Sequence, residues 1–328
     1  LMAGMNIAEK RIPQDGRIPL NLGGKELDIR VADLPSIHGE SLVMRLLEKE
    51  SLVGLEELGF HSDDYRRFKN IIKKPNGIFL VTGPTGSGKT TTLYAALKEL
   101  NQPNRKIITA ENPVEYILPG VNQCHVRTEI GFTFASIIRA MLRQAPQIIL
   151  IGEIRDLETA EAATQAALTG HLVFSTLHTN DAPSAITRLL DMDVKPFLVA
   201  ASIQAVMAQR LIRMLCPKCK QPYEPDEMEL LMVGLKPEDI KEKTICKPVG
   251  CKECNKGYKG RKGIFELMEM DSTIRELTFN QSATLKIAEQ ARMNGMVTLL
   301  EDGVRKLLQG LTSIEEIIEI THRQDLSY

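Results

Sequence analysis

The chain has 328 residues, of which 43% are hydrophobic and 25% are charged; this balance is typical of a globular protein of two or three domains and excludes a disordered chain. The formal net charge is −1, so no overall positive field indicates binding to nucleic acid or to an anionic membrane. The longest apolar runs, such as residues 148–151, are far shorter than the ~20 residues that span a bilayer, which excludes an integral membrane protein.

The first 55 residues contain short strand-like segments. Segments 17–20 and 27–31 flank Gly23-Gly24, a pattern that predicts a hairpin, and 41–47 predicts another strand. So few elements indicate only part of a small α+β domain. Because the chain opens at Leu1 without an initiator Met, we expect it to be a fragment of something longer. The polar stretch 56–75 is interpreted as a helical linker.

From residue 76 to residue 215 the pattern changes to short continuous apolar runs that alternate with helical stretches. Continuous apolar runs are typical of strands buried on both faces of a sheet. The alternation predicts an α/β domain, with a parallel sheet covered by helices. The predicted strands are 78–81, 106–110, 148–151 and 172–175.

A glycine-rich loop follows the first of these strands. Residues 83–90 fit the phosphate-binding pattern G-x-x-x-x-G-K-[ST] at every position. In this pattern the backbone N–H groups surround a phosphate, Lys89 reaches the β- and γ-phosphates, and Thr90 binds Mg²⁺. The sequence therefore predicts an ATP site formed by Gly83, Pro84, Thr85, Gly86, Ser87, Gly88, Lys89, Thr90 and Thr91.

Polar side chains follow three of the other predicted strands. Glu153 ends the strand at 148–151, where a carboxylate can polarise the attacking water. Glu111 and Glu115 follow the strand at 106–110 and could reach Mg²⁺ from the opposite side, while His178 follows the strand at 172–175. Ligands bind at the carboxyl edge of parallel sheets, so we expect Glu111, Glu153 and His178 to line one crevice.

Two CxxC pairs, 31 residues apart, indicate a closed tetrahedral zinc site with a structural role. The predicted ligands are Cys216, Cys219, Cys251 and Cys254. The alternative is two redox-active or free thiol pairs; Cys246 and Cys124 are interpreted as spare thiols. A metal site with so few cysteines is typical of a reducing compartment and favours the cytosol. We assign 216–263 to a zinc subdomain and 264–328 to a helical region, in which Ser313 and Glu316 predict a capping box.

Taken in order, these motifs resemble the secretion ATPases of type II secretion and type IV pilus systems. The similarity covers nearly the whole chain. Besides the phosphate loop it is carried by residues 12–18, 30–31, 39–45, 111–115, 152–156 and 169–180. In that family 111–115 corresponds to the aspartate box and 169–182 to the histidine box.

The resemblance implies a RecA-like P-loop core and a PAS-like second N-terminal domain at 1–55. It implies a homo-hexameric, cytoplasmic motor, peripheral at the inner membrane of a bacterium, that hydrolyses ATP to drive pilin or pseudopilin assembly. The implied partners are an inner-membrane platform protein and a membrane-anchored docking protein. It also implies site roles: Glu153 as the catalytic carboxylate, Glu111 in placing Mg²⁺ or water, His178 as a γ-phosphate sensor, and Arg30 and Arg45 as cations that approach the nucleotide.

Two departures from the family pattern and one further feature matter. Asn112 stands where many relatives have aspartate, so it is not assigned to the metal. The chain also begins inside the second N-terminal domain of the family. The cysteine insert is typical of assembly ATPases and absent from retraction ATPases, which favours assembly over retraction. The sequence does not separate pilus assembly from type II secretion.

Two other functions are alternatives to a secretion ATPase. A nucleic-acid motor shares the P-loop core, but the chain is neutral, has no Trp and shows no basic run next to aromatic residues. The basic stretch 247–262 is better explained as a solvated surface around the cysteines. A nucleotide-gated scaffold with little turnover is the second alternative, against which Glu153 argues.

Overall fold

The structure is a computed structural model, and it describes residues 1–23, 25–48, 53–241 and 243–322. The chain divides into two compact units, Leu1–Val53 and Gly54–Tyr328. We refer to them as the N-terminal unit and the main unit. The boundaries of the smaller domains expected from the sequence stay predictions.

The N-terminal unit contains a three-stranded antiparallel sheet in the order β1-β2-β3. The strands are β1 (Gln14–Leu22), β2 (Lys25–Ser36) and β3 (Gly39–Glu48). The predicted pairing of the first two strands is confirmed, with Leu20 opposite Leu27, although Gly24 lies outside the described residues. The described residues of this unit form no helix, so they show only the β part of the predicted α+β domain.

The main unit is built around one large mixed sheet. Its strands are β4 (Gly77–Thr82), β5 (Ile107–Glu111), β6 (Asn122–His125), β7 (Ile148–Ile151), β8 (Leu172–Leu177), β9 (Ile203–Leu215) and β12 (Tyr258–Glu269), with a separate small pair formed by β10 (Gln221–Pro222) and β11 (Cys246–Lys247). The order across the large sheet is β12-β9-β4-β8-β7-β5-β6. All neighbouring strands are parallel except β12, which runs antiparallel to β9.

Helices cover this sheet and continue to the end of the described chain. They are α1 (Ser62–Ile71), α2 (Lys89–Leu100), α3 (Phe134–Met141), α4 (Leu157–Leu168), α5 (Ala182–Asp191), α6 (Pro196–Ser202), α7 (Glu227–Met232), α8 (Ser272–Phe279), α9 (Thr284–Met293), α10 (Leu299–Leu308) and α11 (Ile314–His322). Aliphatic residues of the sheet pack with those of α3, α4 and α5 in the largest apolar cluster. Burial of this apolar surface is the main stabilising contribution.

The four strands predicted for the core are confirmed as β4, β5, β7 and β8, and each is buried along its length. Strands β6, β9 and β12 were not predicted. Strand β12 extends to Glu269, so residues 264–269, which were assigned to a helical region, are part of the sheet.

Two local features differ from the sequence interpretation. Within the stretch interpreted as a linker, α1 buries Phe68 and Ile71 almost completely, because Phe68 stacks on Phe60, which in turn stacks on Phe265. The capping box of α11 is half formed. Ser313 Oγ accepts a hydrogen bond from Glu316 N (3.3 Å), whereas the Glu316 carboxylate accepts one from Arg213 Nε at 2.6 Å.

None of the helices in the described ranges is both long and apolar enough to cross a lipid bilayer.

Candidate functional site

The phosphate loop connects the end of β4 to the start of α2. Its six residues, 83–88, include three glycines with positive φ, of which Gly88 (87°) directly precedes the helix. Gly83 also lies so close to strand β9 that an added Cβ would come within 2.5 Å of the Gln209 carbonyl oxygen. A side chain would not fit there, so the close approach of β9 fixes the shape of the loop.

Lys89 folds back over this loop. Its Nζ donates hydrogen bonds to the carbonyl oxygens of Gly83 (2.6 Å) and Pro84 (2.9 Å). The pKa of Lys89 is lowered to about 8, chiefly by burial and also by Arg210, while Glu153 acts in the opposite direction. Anionic phosphate oxygens would favour the charged form of this amine.

Ser87 gives a second sign of a ligand. Its Oγ is buried and has no hydrogen-bond partner among the described residues, and it faces the space beside Gly83. A buried hydroxyl without a partner costs free energy. The residues present therefore fit a bound phosphate group, as the sequence predicted.

Glu153 and His178 lie together at the carboxyl ends of β7 and β8. His178 Nε2 is 3.5 Å from Glu153 Oε2, and Arg155 Nη2 is 2.7 Å from Glu153 Oε1. Burial lowers the pKa of His178, Lys89 lowers it further, and Glu153 opposes both. The imidazole is therefore largely neutral at pH 7.

Glu111 lies at the end of the neighbouring strand, and its side chain is held by three hydrogen bonds. Its carboxylate accepts hydrogen bonds from Tyr94 Oη, from Thr109 Oγ1 (2.5 Å) and from Gln123 Nε2 (3.1 Å). Burial raises the pKa of the Tyr94 hydroxyl, and the Glu111 charge adds to this effect. Backbone contact with the Glu153 strand is retained, since Gly152 N donates to Ala110 O.

The magnesium ligands expected from the sequence were Thr90, Glu111 and Glu115. Thr90 lies in the first turn of α2, beside Lys89, where its hydroxyl fits a metal bound to the phosphates. Glu111 could bind a metal only by giving up one of its present hydrogen bonds. Glu115 is half-buried, and its backbone N donates to Tyr94 Oη at 3.4 Å. The magnesium assignment stays a prediction.

The four cysteines of the two CxxC pairs come together as predicted. All four sulfur atoms lie within 4.8 Å of one another, and neighbouring sulfurs are 3.6 to 4.0 Å apart. Tetrahedral zinc needs sulfurs about 3.8 Å apart when each Zn–S bond is about 2.3 Å. The set therefore fits zinc, with the ligands Cys216, Cys219, Cys251 and Cys254.

Cys246 does not belong to this set. It is buried in a separate apolar cluster with Leu215 and Tyr258. Cys124 lies on β6, far along the chain. Both fit the prediction of spare thiols.

Arg30 and Arg45 lie in the N-terminal unit, directly opposite each other on β2 and β3. Their approach to a nucleotide stays a prediction.

Three polar residues near the site were not assigned from the sequence. Arg155 lies in segment 152–156, and the sequence alone predicts no role for it. Gln209 and Arg210 interrupt the apolar run of β9 and lie next to the phosphate loop. The sequence signal for Gln209 and Arg210 is the pair of adjacent polar residues within an apolar strand. Polar side chains are seldom buried without hydrogen-bond partners, so such a pair indicates a polar site nearby.

Comparison with known proteins gives matches along nearly the whole chain. Residues 1–319 match the family described as "Type II/IV secretion system protein". Type II secretion system protein E of Pseudomonas aeruginosa is 50% identical over 326 residues, which is 99% of this chain and 64% of that protein. Type IV pilus assembly ATPase PilB of Myxococcus xanthus is 49% identical over 322 residues, which is 97% of this chain and 57% of that protein. The chain thus spans less than two thirds of the length of these relatives.

Solved structures are similar as well. The pilus retraction motor PilT with bound ADP gives a TM-score of 0.68 at 28% identity, covering 94% of this chain and 77% of that one. The ATPase DotB of Legionella pneumophila gives a TM-score of 0.68 at 21% identity, covering 95% and 78%; the DotB match supports the fold alone. The predicted α/β P-loop architecture is confirmed.

Proposed function

Because the chain belongs to the type II/IV secretion system protein family, we propose that it is an ATP-hydrolysing motor that drives pilin or pseudopilin assembly. The observation that carries the proposal is the position of Glu153 and His178 beside a complete phosphate loop. Lys89 is within electrostatic reach of both residues. The names of the matched relatives, a type II secretion protein and a pilus assembly ATPase, support the cellular role.

In this proposal the phosphate loop binds and orients ATP. The loop amides and Lys89 hold the β- and γ-phosphates, and the positive end of α2 points at the same anion. Bound Mg²⁺ supplies charge neutralisation between the phosphate oxygens; Thr90 is the residue that fits it best, with Glu111 and Glu115 assigned as further contributors.

Glu153 acts as the general base of the hydrolysis. Its carboxylate accepts a proton from the attacking water, while Arg155 and His178 hold it in place. Neutral His178, if its proton is on Nε2, can donate a hydrogen bond to the γ-phosphate or to Glu153. Arg30 and Arg45 are assigned to the developing charge on the γ-phosphate, as arginine fingers.

The assembly is proposed to be a cytoplasmic homo-hexamer at the inner membrane of a bacterium. Its partners are proposed to be a platform protein in that membrane and a membrane-anchored docking protein. Zinc, bound by the four cysteines, has a structural role, because the site leaves no position open for water.

The test is ATP turnover by the chain and by Glu153→Gln. We expect the substitution to lower turnover about 100-fold or more, because the amide cannot accept the proton. Affinity for a fluorescent ADP analogue should change less than threefold, a limit on the order of 0.7 kcal/mol. The matched control is Glu161→Gln, an exposed carboxylate on α4, which should keep full turnover.

Equal rates of ATP turnover in the starting chain and in Glu153→Gln would show that Glu153 is not the general base. Nucleotide binding without turnover in either protein would instead support the nucleotide-gated scaffold.

A further inference from the structure

Strand β9 runs beside the phosphate loop. It pairs with β4 up to Thr82, which lies opposite Ala208, so the next two residues, Gln209 and Arg210, continue alongside Gly83. Successive side chains of a strand point to opposite faces. Gln209 Oε1 accepts a hydrogen bond from Thr92 of α2 (2.8 Å), whereas Arg210 contacts the loop after β8.

Arg210 binds that loop through the backbone and the side chain of Asn180. Its Nη2 donates to the backbone oxygen and to the Oδ1 of Asn180, each at 3.1 Å. Its Nη1 donates to Gln209 O at 3.1 Å and lies 3.0 Å from the position of a Cβ on Gly83. One guanidinium therefore joins the histidine-containing loop to strand β9 and lies beside Gly83 at the base of the phosphate loop.

The charge of Arg210 has no contact partner. The side chain is buried, with 7% of the residue exposed, and it forms no salt bridge with any described residue. Burial lowers its pKa, while the carboxylates Glu266 and Asp181 act in the opposite direction from a distance. A buried cation without a carboxylate in direct contact is costly, and the space beside Gly83 is one place next to its guanidinium where a bound anion would lower that cost.

The loop that Arg210 holds also carries His178. Thr179 N donates to Thr82 Oγ1 (2.8 Å), and Thr82 Oγ1 donates to Thr179 O (3.0 Å). These bonds fix the loop to β4, and Arg210 fixes its other side through Asn180. The backbone around His178 is thus held at two points next to the phosphate loop.

We propose that Arg210 is a positioning residue of the nucleotide site, which holds the His178–Asn180 loop against strand β9 beside Gly83 and so orients His178 towards Glu153 and the γ-phosphate. This inference rests on the proposed ATP hydrolysis. It does not require Arg210 to touch the nucleotide.

The positioning role of Arg210 depends on the geometry of its guanidinium group. Arginine presents several N–H donors in a rigid plane, whereas lysine has a single ammonium group that cannot bond to Asn180 and to Gln209 O in the same way. Arg210→Lys therefore keeps the positive charge near the phosphates and removes the bridge. Arg210→Gln removes both the positive charge and the bridge.

The experiment measures kcat, nucleotide affinity and amide hydrogen exchange for these two variants. For Arg210→Lys we expect kcat to fall about tenfold or more through loss of orientation, with affinity for an ADP analogue changed less than about threefold. Exchange of amides in 177–182 should become faster. For Arg210→Gln we expect affinity to fall as well.

The matched control is Arg213→Gln, three residues further along the same strand. Arg213 pairs with Glu316 and Glu319 instead of contacting the phosphate loop. We expect this variant to lower the unfolding temperature while leaving kcat, affinity and exchange at 177–182 unchanged.

A double variant separates positioning from a general structural role. If Arg210 acts through His178, then Arg210→Lys should lower kcat little further in a His178→Ala background. Multiplicative losses, or unchanged kcat and exchange in Arg210→Lys, would overturn the inference while the proposed ATPase stands. Absence of turnover in the starting chain would instead contradict the proposed function, and exchange at 177–182 would still decide whether Arg210 holds the loop.

Discussion

At the scale of single residues, Glu266 is a buried carboxylate beside the candidate site. It lies on β12, opposite Ala208 of β9, and its Oε1 accepts a hydrogen bond from Ala182 N at 2.8 Å. The pKa of Glu266 is raised to about 7, chiefly by burial and also by Asp181, whereas backbone hydrogen bonds and Arg210 oppose the rise. The folded chain therefore keeps this proton at pH values where an exposed glutamate has lost it.

This shift predicts a pH dependence of stability. Between about 4.5 and 7 the folded chain holds a proton that the unfolded chain has released, so the contribution of Glu266 to stability is lost as pH rises through about 7. The loss should be on the order of 3 kcal/mol by pH 8. Urea unfolding of the chain and of Glu266→Gln at pH 5, 6, 7 and 8 measures it, because the amide keeps the acceptor for Ala182 without the charge.

We expect Glu266→Gln to flatten the decline in unfolding free energy across this range. Glu276→Gln, which alters an exposed carboxylate on α8, should keep the decline of the starting chain. The same slope in Glu266→Gln and in the starting chain would show that this carboxyl group has an ordinary pKa.

At the scale of elements, the two cysteine loops connect the end of β9 to the start of β12. Cys216 follows β9 directly, and Cys251 and Cys254 precede β12. Between the two CxxC pairs, the described residues form the short strands β10 and β11, the helix α7 and a 3-10 turn at Pro237–Ile240. The buried apolar residues of this segment, such as Leu230 and Ile245, pack together with residues of α10 and α11. Because its elements are short, we expect the fold of this region to depend on the metal as well.

Removal of the metal tests that dependence. We expect one zinc per chain by elemental analysis, and its loss in Cys251→Ser. Because a structural zinc site supplies on the order of 10 kcal/mol of folding free energy, limited proteolysis of that variant should cut between residues 217 and 250. Cys246→Ala, which changes a thiol outside the set, should keep the metal and resist cleavage; zinc loss in that variant would contradict the assigned ligands.

Elements that are buried on both faces could be predicted from the sequence. A run such as Ile148–Ile151 is apolar at every position, which leaves little choice but a central parallel strand. Strand β9 was missed because Gln209, Arg210 and Arg213 interrupt its apolar pattern. Their hydrogen-bond partners Thr92, Asn180 and Glu316 come from distant parts of the chain. Strand β12 was missed because its first half is basic and glycine-containing, and it was therefore assigned to the cysteine region.

The candidate site was predictable to the same extent. Neighbouring parallel strands bring their carboxyl ends together, so the proximity of Glu153 and His178 followed from their place after two strands. The direction of the Glu111 side chain did not follow, because it is decided by Tyr94 on α2 and Gln123 on β6. Contacts of this kind depend on tertiary packing, which cannot be predicted from a local sequence pattern.

At the scale of the whole molecule, the proposed catalytic groups are divided between the two units. Lys89 and Glu153 belong to the main unit, whereas Arg30 and Arg45 belong to the N-terminal unit. The phosphate loop is complete within the main unit, so nucleotide binding does not require the arginines. Turnover does require them if they stabilise the charge on the transferring phosphoryl group.

In a ring, the arginines that complete a site can come from a neighbouring chain. We therefore expect ATP turnover per chain to rise with protein concentration and then to saturate, while the affinity for an ADP analogue stays constant. Steady-state turnover across a wide dilution series, with light scattering to report the oligomer, measures this. A flat, non-zero rate would contradict a site shared between chains.

Mixing two inactive variants identifies which chain supplies the arginines. Glu153→Gln keeps both arginines, and Arg45→Ala keeps the general base, so each protein alone should be slow. If Arg45 acts on a neighbouring site, mixed rings contain sites with both groups, and turnover of the mixture exceeds that of either protein alone. If Arg45 acts within its own chain, no site in the mixture has both groups, and the rate stays at the average of the two proteins. The same mixture made with Arg11→Ala in place of Arg45→Ala controls for dilution, because Arg11 is an exposed residue that pairs with Glu9.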